Sequence, residues 1–276
     1  MLSGAVGQAL SSAPARCPVM SSFVLAPPRR RLLALETLVV VSLALGLSAA
    51  RSVLSFVGAL LSPDRLSEQT AQLNGSLAPG RPLLDLGLQL VSIVGLLLPV
   101  AVVVVVAGYS GESMASFGVR TDRWRADLAV GVGAAAAVGG VGLAGYLLAH
   151  QLGYSLTVVP TSLPETWWRI PVLVLAAAAN AVLEEVVVVG YLLRRLEQLG
   201  WPAGRAAVLS ATVRASYHLY QGLAGFIGNL LMGLVFARWF QRTGRVGALV
   251  VAHTLIDVVA FCGYALLAGH VSWLPV

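Results

Sequence analysis

IPVLVLAAAANAVLEEVVVVGYLL, residues 170–193, is an almost wholly apolar run interrupted by two adjacent acids, Glu184 and Glu185. As a helix rising 1.5 Å per residue it extends ~36 Å, enough to cross the ~30 Å hydrocarbon core of a bilayer. A carboxylate near the middle of that core is disfavoured by at least about 2.5 kcal/mol on insertion scales, so such groups face a bundle interior or a watery cavity and mark function by default. Three further ionisable groups stand in later apolar segments: His218, His253 and Asp257.

The rest of the chain carries the same membrane signature. It is 58% hydrophobic and 11% charged with a mean hydropathy of +0.84, against about 25% charged residues in soluble domains. The fold class is therefore all-α, a polytopic transmembrane helix bundle. Hydropathy predicts about seven spans: 32–50 (extended by an amphipathic turn to 62), 86–108, 127–149, 170–193, 204–221, 223–240 and 246–268. Splitting the first long segment would make eight. Residues 1–28, rich in Ser, Pro and Ala, read as a flexible cytoplasmic leader, 29–169 as amino-terminal spans, 170–268 as the membrane core and 269–276 as a short tail. The apolar run after Arg29, Arg30 and Arg31 outlasts a signal-peptide core and lacks a cleavage site, so it reads as a retained anchor.

All 18 basic residues are arginine, and the net charge is +6. Clusters of three recur at alternate span ends: Arg29–31, then Arg120, Arg123 and Arg125, then Arg194, Arg195 and Arg205, then Arg238, Arg242 and Arg245. All four fall on one face of the membrane if the amino terminus is cytoplasmic. Topology thus accounts for the basic balance, and no nucleic-acid partner is implied. The two cysteines, Cys17 and Cys262, are far apart and imply neither a disulfide nor a thiolate metal site.

With that orientation, Glu184, Glu185, His253 and Asp257 share a layer roughly 12 to 18 Å from the cytoplasmic boundary, and His218 lies somewhat deeper. His253 and Asp257, four apart in AHTLID, share a helix face, and Arg214 in RASYH lies one turn from His218. Adjacent Glu184 and Glu185 point about 100° apart on an α-helix, so one aims at the cavity and the other at a neighbouring helix. A carboxylate and an imidazole meeting at one water make a general-base pair, and a second histidine with a polar group can hold the oxyanion of an attacked amide. Asn229, in GFIGNLLMG, is placed to line the cavity. Glu36 reads as an interfacial or packing residue, His150 as a snorkelling interface group, and Tyr217, Tyr220 and Trp239 as packing or belt aromatics.

Glu184-Glu185 followed by Gly190-Tyr191-Leu192, then His218, then the HxxxD element of His253 and Asp257, resembles the CAAX protease and bacteriocin-processing family of intramembrane glutamyl endopeptidases. The resemblance covers roughly residues 170–265. It implies that 170–268 is a catalytic membrane core in which Glu184 with His218 activates water, Glu185 is a supporting acid, and His253 with Asp257 stabilises the oxyanion. It also implies a peptide or protein substrate entering from the cytoplasm or the bilayer, a multi-pass location in the plasma membrane, and no cofactor. The sequence departs from the family's EExxxR pattern at Val189 and from FxxxH at Arg214, which suggests that Arg214 supplies from the neighbouring helix the charge that position 189 lacks. Asp257 stands where the family often has Asn; ionised, it would orient His253.

Two other readings of the same groups stay open. Glu184, His218 and His253 form a two-histidine, one-carboxylate set that suits zinc, although HExxH is absent. A proton-coupled transporter or a non-catalytic bacteriocin-immunity protein would use such a cluster as a relay or a scaffold. The spans show no obvious repeat of the transporter kind.

Overall fold

The structure is a computed structural model that describes residues 27–275. The leader expected over 1–28, with Cys17, lies outside the described residues except for its last two positions. Seven helices carry the described chain: α1 (Arg29–Leu61), α2 (Pro82–Ser110), α3 (Trp124–Gln151), α4 (Arg169–Gln198), α5 (Ala203–Ser216), α6 (Leu223–Thr243) and α7 (Gly247–Leu267). All but α5 are long and apolar enough to cross a membrane. The protein is a multi-pass membrane helix bundle.

Two expectations about spans change. The first segment is one helix to Leu61, running through a π-helical stretch at Ser42–Gly46; its extension past residue 50 is fully helical, and the alternative split into two spans does not occur. The span expected over 204–221 is a 14-residue helix, ~21 Å long and short of the hydrocarbon core. Beyond Ser216 the chain runs through a turn at Tyr217 and His218 and a 3-10 turn, Leu219–Gln221, before α6 begins. Gly222, at φ +91°, makes the break, in a left-handed conformation that favours glycine. His218 thus sits in an interruption between two helices and not within one.

Periodicity did not foretell the strands. β1 (Thr70–Asn74) and β2 (Thr157–Thr161) pair in parallel, Thr70 opposite Thr157 and Asn74 opposite Thr161, and join the α1–α2 and α3–α4 connections away from the arginine clusters. His150, expected at a lipid interface, is half-buried there with Nε2 3.0 Å from the Thr157 hydroxyl.

α4 is the axis of the bundle, touched by α1, α2, α5, α6 and α7. In its most apolar window 67% of residues are buried, against 22% or less in each of the other five long helices. Those helices turn large side chains outward, Leu43, Leu83 and Val141 among them. An apolar surface of that extent suits lipid rather than water. One helix shielded by the others is the place in a bilayer where charged groups can be kept dry and paired.

Candidate active site

Glu184 opens an eight-residue π-helical segment, Glu184–Tyr191, inside α4. Its last turn closes with the Leu192 amide donating to the Val187 carbonyl five residues back. Four consecutive valines follow the glutamates, and branched side chains crowd the preceding turn of an α-helix. The wider turn relieves that crowding, and such insertions cluster at functional sites. Around it the neighbours fit closely: the Ser210 hydroxyl of α5 donates to the Val188 carbonyl at 2.7 Å, and Gly190 lies so near the Phe117 carbonyl that a Cβ would collide with it. The glycine of the GYL element is therefore a packing requirement.

A π turn rotates successive residues by less than the α-helical 100°. Glu184 faces the part-exposed His218 and Glu185 faces His253 of α7, so the two still address different neighbours. Both reach Arg214 of α5: Nη2 bonds Glu185 Oε1 and lies 3.4 Å from Glu184 Oε2. Glu185 and Arg214 are wholly buried and Glu184 is 2% exposed. The guanidinium also stacks 5.3 Å above the Phe236 ring of α6. A single buried cation thus holds two buried anions, an arrangement in which the loss of any member leaves an unpaired charge.

The two histidines flank this triad. His253 of α7 sets Nδ1 2.8 Å from Glu185 Oε1 and turns Nε2 toward Asp257 Oδ2 at 3.6 Å. Asp257 accepts a 3.2 Å hydrogen bond from the Asn180 amide, one turn before Glu184 on α4. On the other side His218 Nε2 faces Glu184 Oε1 at 3.6 Å, and Gln221 Nε2 lies 3.3 Å from His218 Nδ1. The Tyr217 ring lies 4.8 Å from the His218 ring, centroid to centroid, with its hydroxyl buried and unbonded.

All five ionisable groups singled out in the sequence, and Arg214 with them, therefore meet in one cluster. Asn229 does not join it, because its amide bonds the Gly225 carbonyl one turn back on its own helix. The sequence reading missed Asn180 and Gln221, although each is a lone amide within four residues of a singled-out acid or histidine. Among the described residues, no three His, Cys, Asp or Glu side chains are grouped to hold a metal ion. The charge nearest both glutamates is a guanidinium.

Several buried polar atoms in the cluster make no hydrogen bond in the protein: Glu184 Oε2, Glu185 Oε2, Arg214 Nε and Nη1, and His218 Nε2. Unpaired groups at such density are rare in a native interior. They point to a site that meets a polar ligand or water.

Residues 166–259, about a third of the chain, match the family model for the type II CAAX prenyl endopeptidase, Rce1-like. They form an Rce1-like domain. The match spans α4 through most of α7 and so takes in every residue of the cluster. Over those residues the chain is similar to the type II CAAX prenyl endopeptidases. No curated protein and no solved structure matches the chain significantly.

Proposed function

We propose that the chain is an intramembrane glutamyl endopeptidase in which Glu184 and His218 activate the water that hydrolyses a peptide bond. The observation that carries this reading is the 3.6 Å gap between Glu184 Oε1 and His218 Nε2. It is too long for a direct hydrogen bond and suits one bridging water. Side chains of His218 and Asp257 are each 16% exposed, whereas those of Glu184, Glu185, Arg214 and His253 are 2% or less. The reactive edge is thus the accessible one, with the charges that support it behind.

In the proposed reaction Glu184 takes a proton from the bridging water as its oxygen attacks the scissile carbonyl carbon. The developing oxyanion is met from the Nε2 edge of His253, whose Nδ1 is anchored on Glu185. Asp257, fastened by Asn180, orients that imidazole. Glu184 then returns its proton to the departing amine as the C–N bond breaks, so no net proton is consumed. Arg214 holds both carboxylates in place.

The substrate we infer is a peptide or protein end reaching the cluster from the cytoplasm or the bilayer. The amino terminus and the four arginine clusters face the cytoplasm, and the membrane is the plasma membrane. The test is cleavage of a peptide library, prenylated and unprenylated ends included, by purified protein in liposomes. Cleavage abolished by Glu184→Gln and by His218→Ala, and spared by a chelator, is the expected result. Chelator-sensitive cleavage would favour zinc on these residues, and folded wild-type protein that cleaves nothing would return the cluster to a transport or immunity role.

A further inference from the structure

The break between α5 and α6 contains an amide side chain that the hydrolytic cluster does not itself require. Gln221 ends the 3-10 turn that begins at Leu219, and its Nε2 lies 3.3 Å from His218 Nδ1 and 3.2 Å from the Tyr220 hydroxyl. An amide nitrogen only donates, so the ring nitrogen facing it must be the acceptor. In a neutral imidazole that leaves the proton on Nε2, the nitrogen aimed at Glu184. The hydrogen bonds then run in one direction: amide to Nδ1, Nε2–H to the water oxygen, water to Glu184.

Two independent features hold Gln221 there. A Cβ added to Gly225 would fall 2.6 Å from the Gln221 Cβ and 3.0 Å from its Oε1, so the first turn of α6 is cut back to make room for this side chain. The turn itself is tied from outside the Rce1-like domain. The Tyr220 amide donates to the Ser52 hydroxyl of α1 at 2.7 Å, and Ser52 is 3% exposed. A helix interrupted inside a membrane frees backbone groups that water cannot reach, and side chains of neighbouring helices satisfy them. The amino-terminal helix therefore braces the loop that carries His218.

We propose that Gln221 is the positioning residue that sets the tautomer of His218, so that the imidazole orients the water as a donor and Glu184 is the only base. This rests on the hydrolytic reading above and divides the roles within it. Replacing the amide by a carboxylate, Gln221→Glu, reverses the polarity: the new acceptor draws the proton to Nδ1 and leaves a lone pair facing Glu184. The chain has four histidines, so 15N-labelled histidine spectra of the detergent-solubilised protein are tractable, with His218 assigned by its loss in His218→Ala.

The expected result is an Nε2–H tautomer for His218 in the wild type and an Nδ1–H tautomer in Gln221→Glu. With it go a kcat lowered about 10- to 100-fold, the cost typical of losing a partner that fixes a histidine tautomer, and a KM within about two-fold. Gln221→Ala should give mixed tautomers and an intermediate kcat, and it carries the test if the carboxylate variant does not fold. An Nδ1–H tautomer in the wild type, or a tautomer unmoved by both substitutions, overturns the assignment. Should the tautomers behave as expected while no form of the protein cleaves a peptide, the assignment of Gln221 stands and the hydrolytic reading falls.

Discussion

Arg195 and Arg214 are both buried to 1% exposure or less, each on a helix of the Rce1-like domain, and each faces two glutamates. Arg195 is fully engaged. Its Nε bonds Glu36 Oε1 at 3.0 Å, Nη1 bonds Glu112 and the Gln198 side-chain amide oxygen, Nη2 reaches the Ser110 hydroxyl, and the guanidinium lies 5.1 Å from both the Phe117 and Tyr191 rings. Tyr191 closes the circuit by donating to Glu36 at 2.9 Å. Arg214 uses only Nη2 and leaves Nε and Nη1 unbonded, as its glutamates each leave one oxygen. The difference separates a clamp, which joins α1, α2 and α4 and is fully bonded, from a cluster that leaves polar atoms without hydrogen-bond partners.

The sharpest test removes each cation in turn. Arg214→Met should lower cleavage on the order of 10²- to 10⁴-fold, the scale of a lost acid–base group, because the base is no longer held. It should also destabilise the protein by about 3 to 5 kcal/mol, since two buried carboxylates lose their partner. Adding Glu184→Gln and Glu185→Gln to Arg214→Met should restore thermal stability in detergent and leave activity absent. Cleavage by that triple variant would end the distinction drawn here.

Arg195→Met is expected to cost less stability and almost no chemistry. Glu36 and Glu112 are part exposed and keep Tyr191, Gln198 and Arg194 as partners, so the loss should be about 1.5 to 3 kcal/mol, read as a lower unfolding temperature and less folded protein in the membrane. The kcat per folded molecule should stay within a few-fold of wild type. A kcat loss as deep as that of Arg214→Met, at equal folded protein, would make the Arg195 network part of the machinery.

The sequence made the two halves of this comparison legible to different degrees. Glu184, Glu185, His218, His253 and Asp257 stood out because an ionisable group in an apolar run is expensive wherever it sits, and Arg214 stood out by lying one turn from His218. The Arg195 network stayed hidden because its members lie near span ends, where charge is ordinary and topology already explains it. Span length was legible wherever hydropathy persisted and misleading at 204–221, where Gly222 interrupts the helix. The π-helical segment was not legible at all. A change of one residue in the hydrogen-bond register leaves the apolar pattern of α4 unaltered.

A third arginine supplies the weakest contrast. Arg245 sits outside the spans, between α6 and α7, bonding Asp127 through Nη2 at 2.7 Å and Asp122 through Nη1 at 2.8 Å. The hydrogen bonds from Arg245 and then Arg120 hold the exposed Asp122 carboxyl down to about 2 from the ordinary 3.8. A carboxyl whose folded pKa is depressed contributes stability that is fully present above its unfolded value and is lost as the pH falls toward the folded one. The contribution from Asp122 should thus be complete above about pH 4 and gone near pH 2. Exposed pairs of this kind are screened by water and salt, so Asp122→Asn should lower the unfolding temperature only slightly at pH 6, less in high salt, and not at all near pH 2. A fall as large as that of Arg195→Met would mean that burial is not what separates the strong arginine clamps from the weak ones.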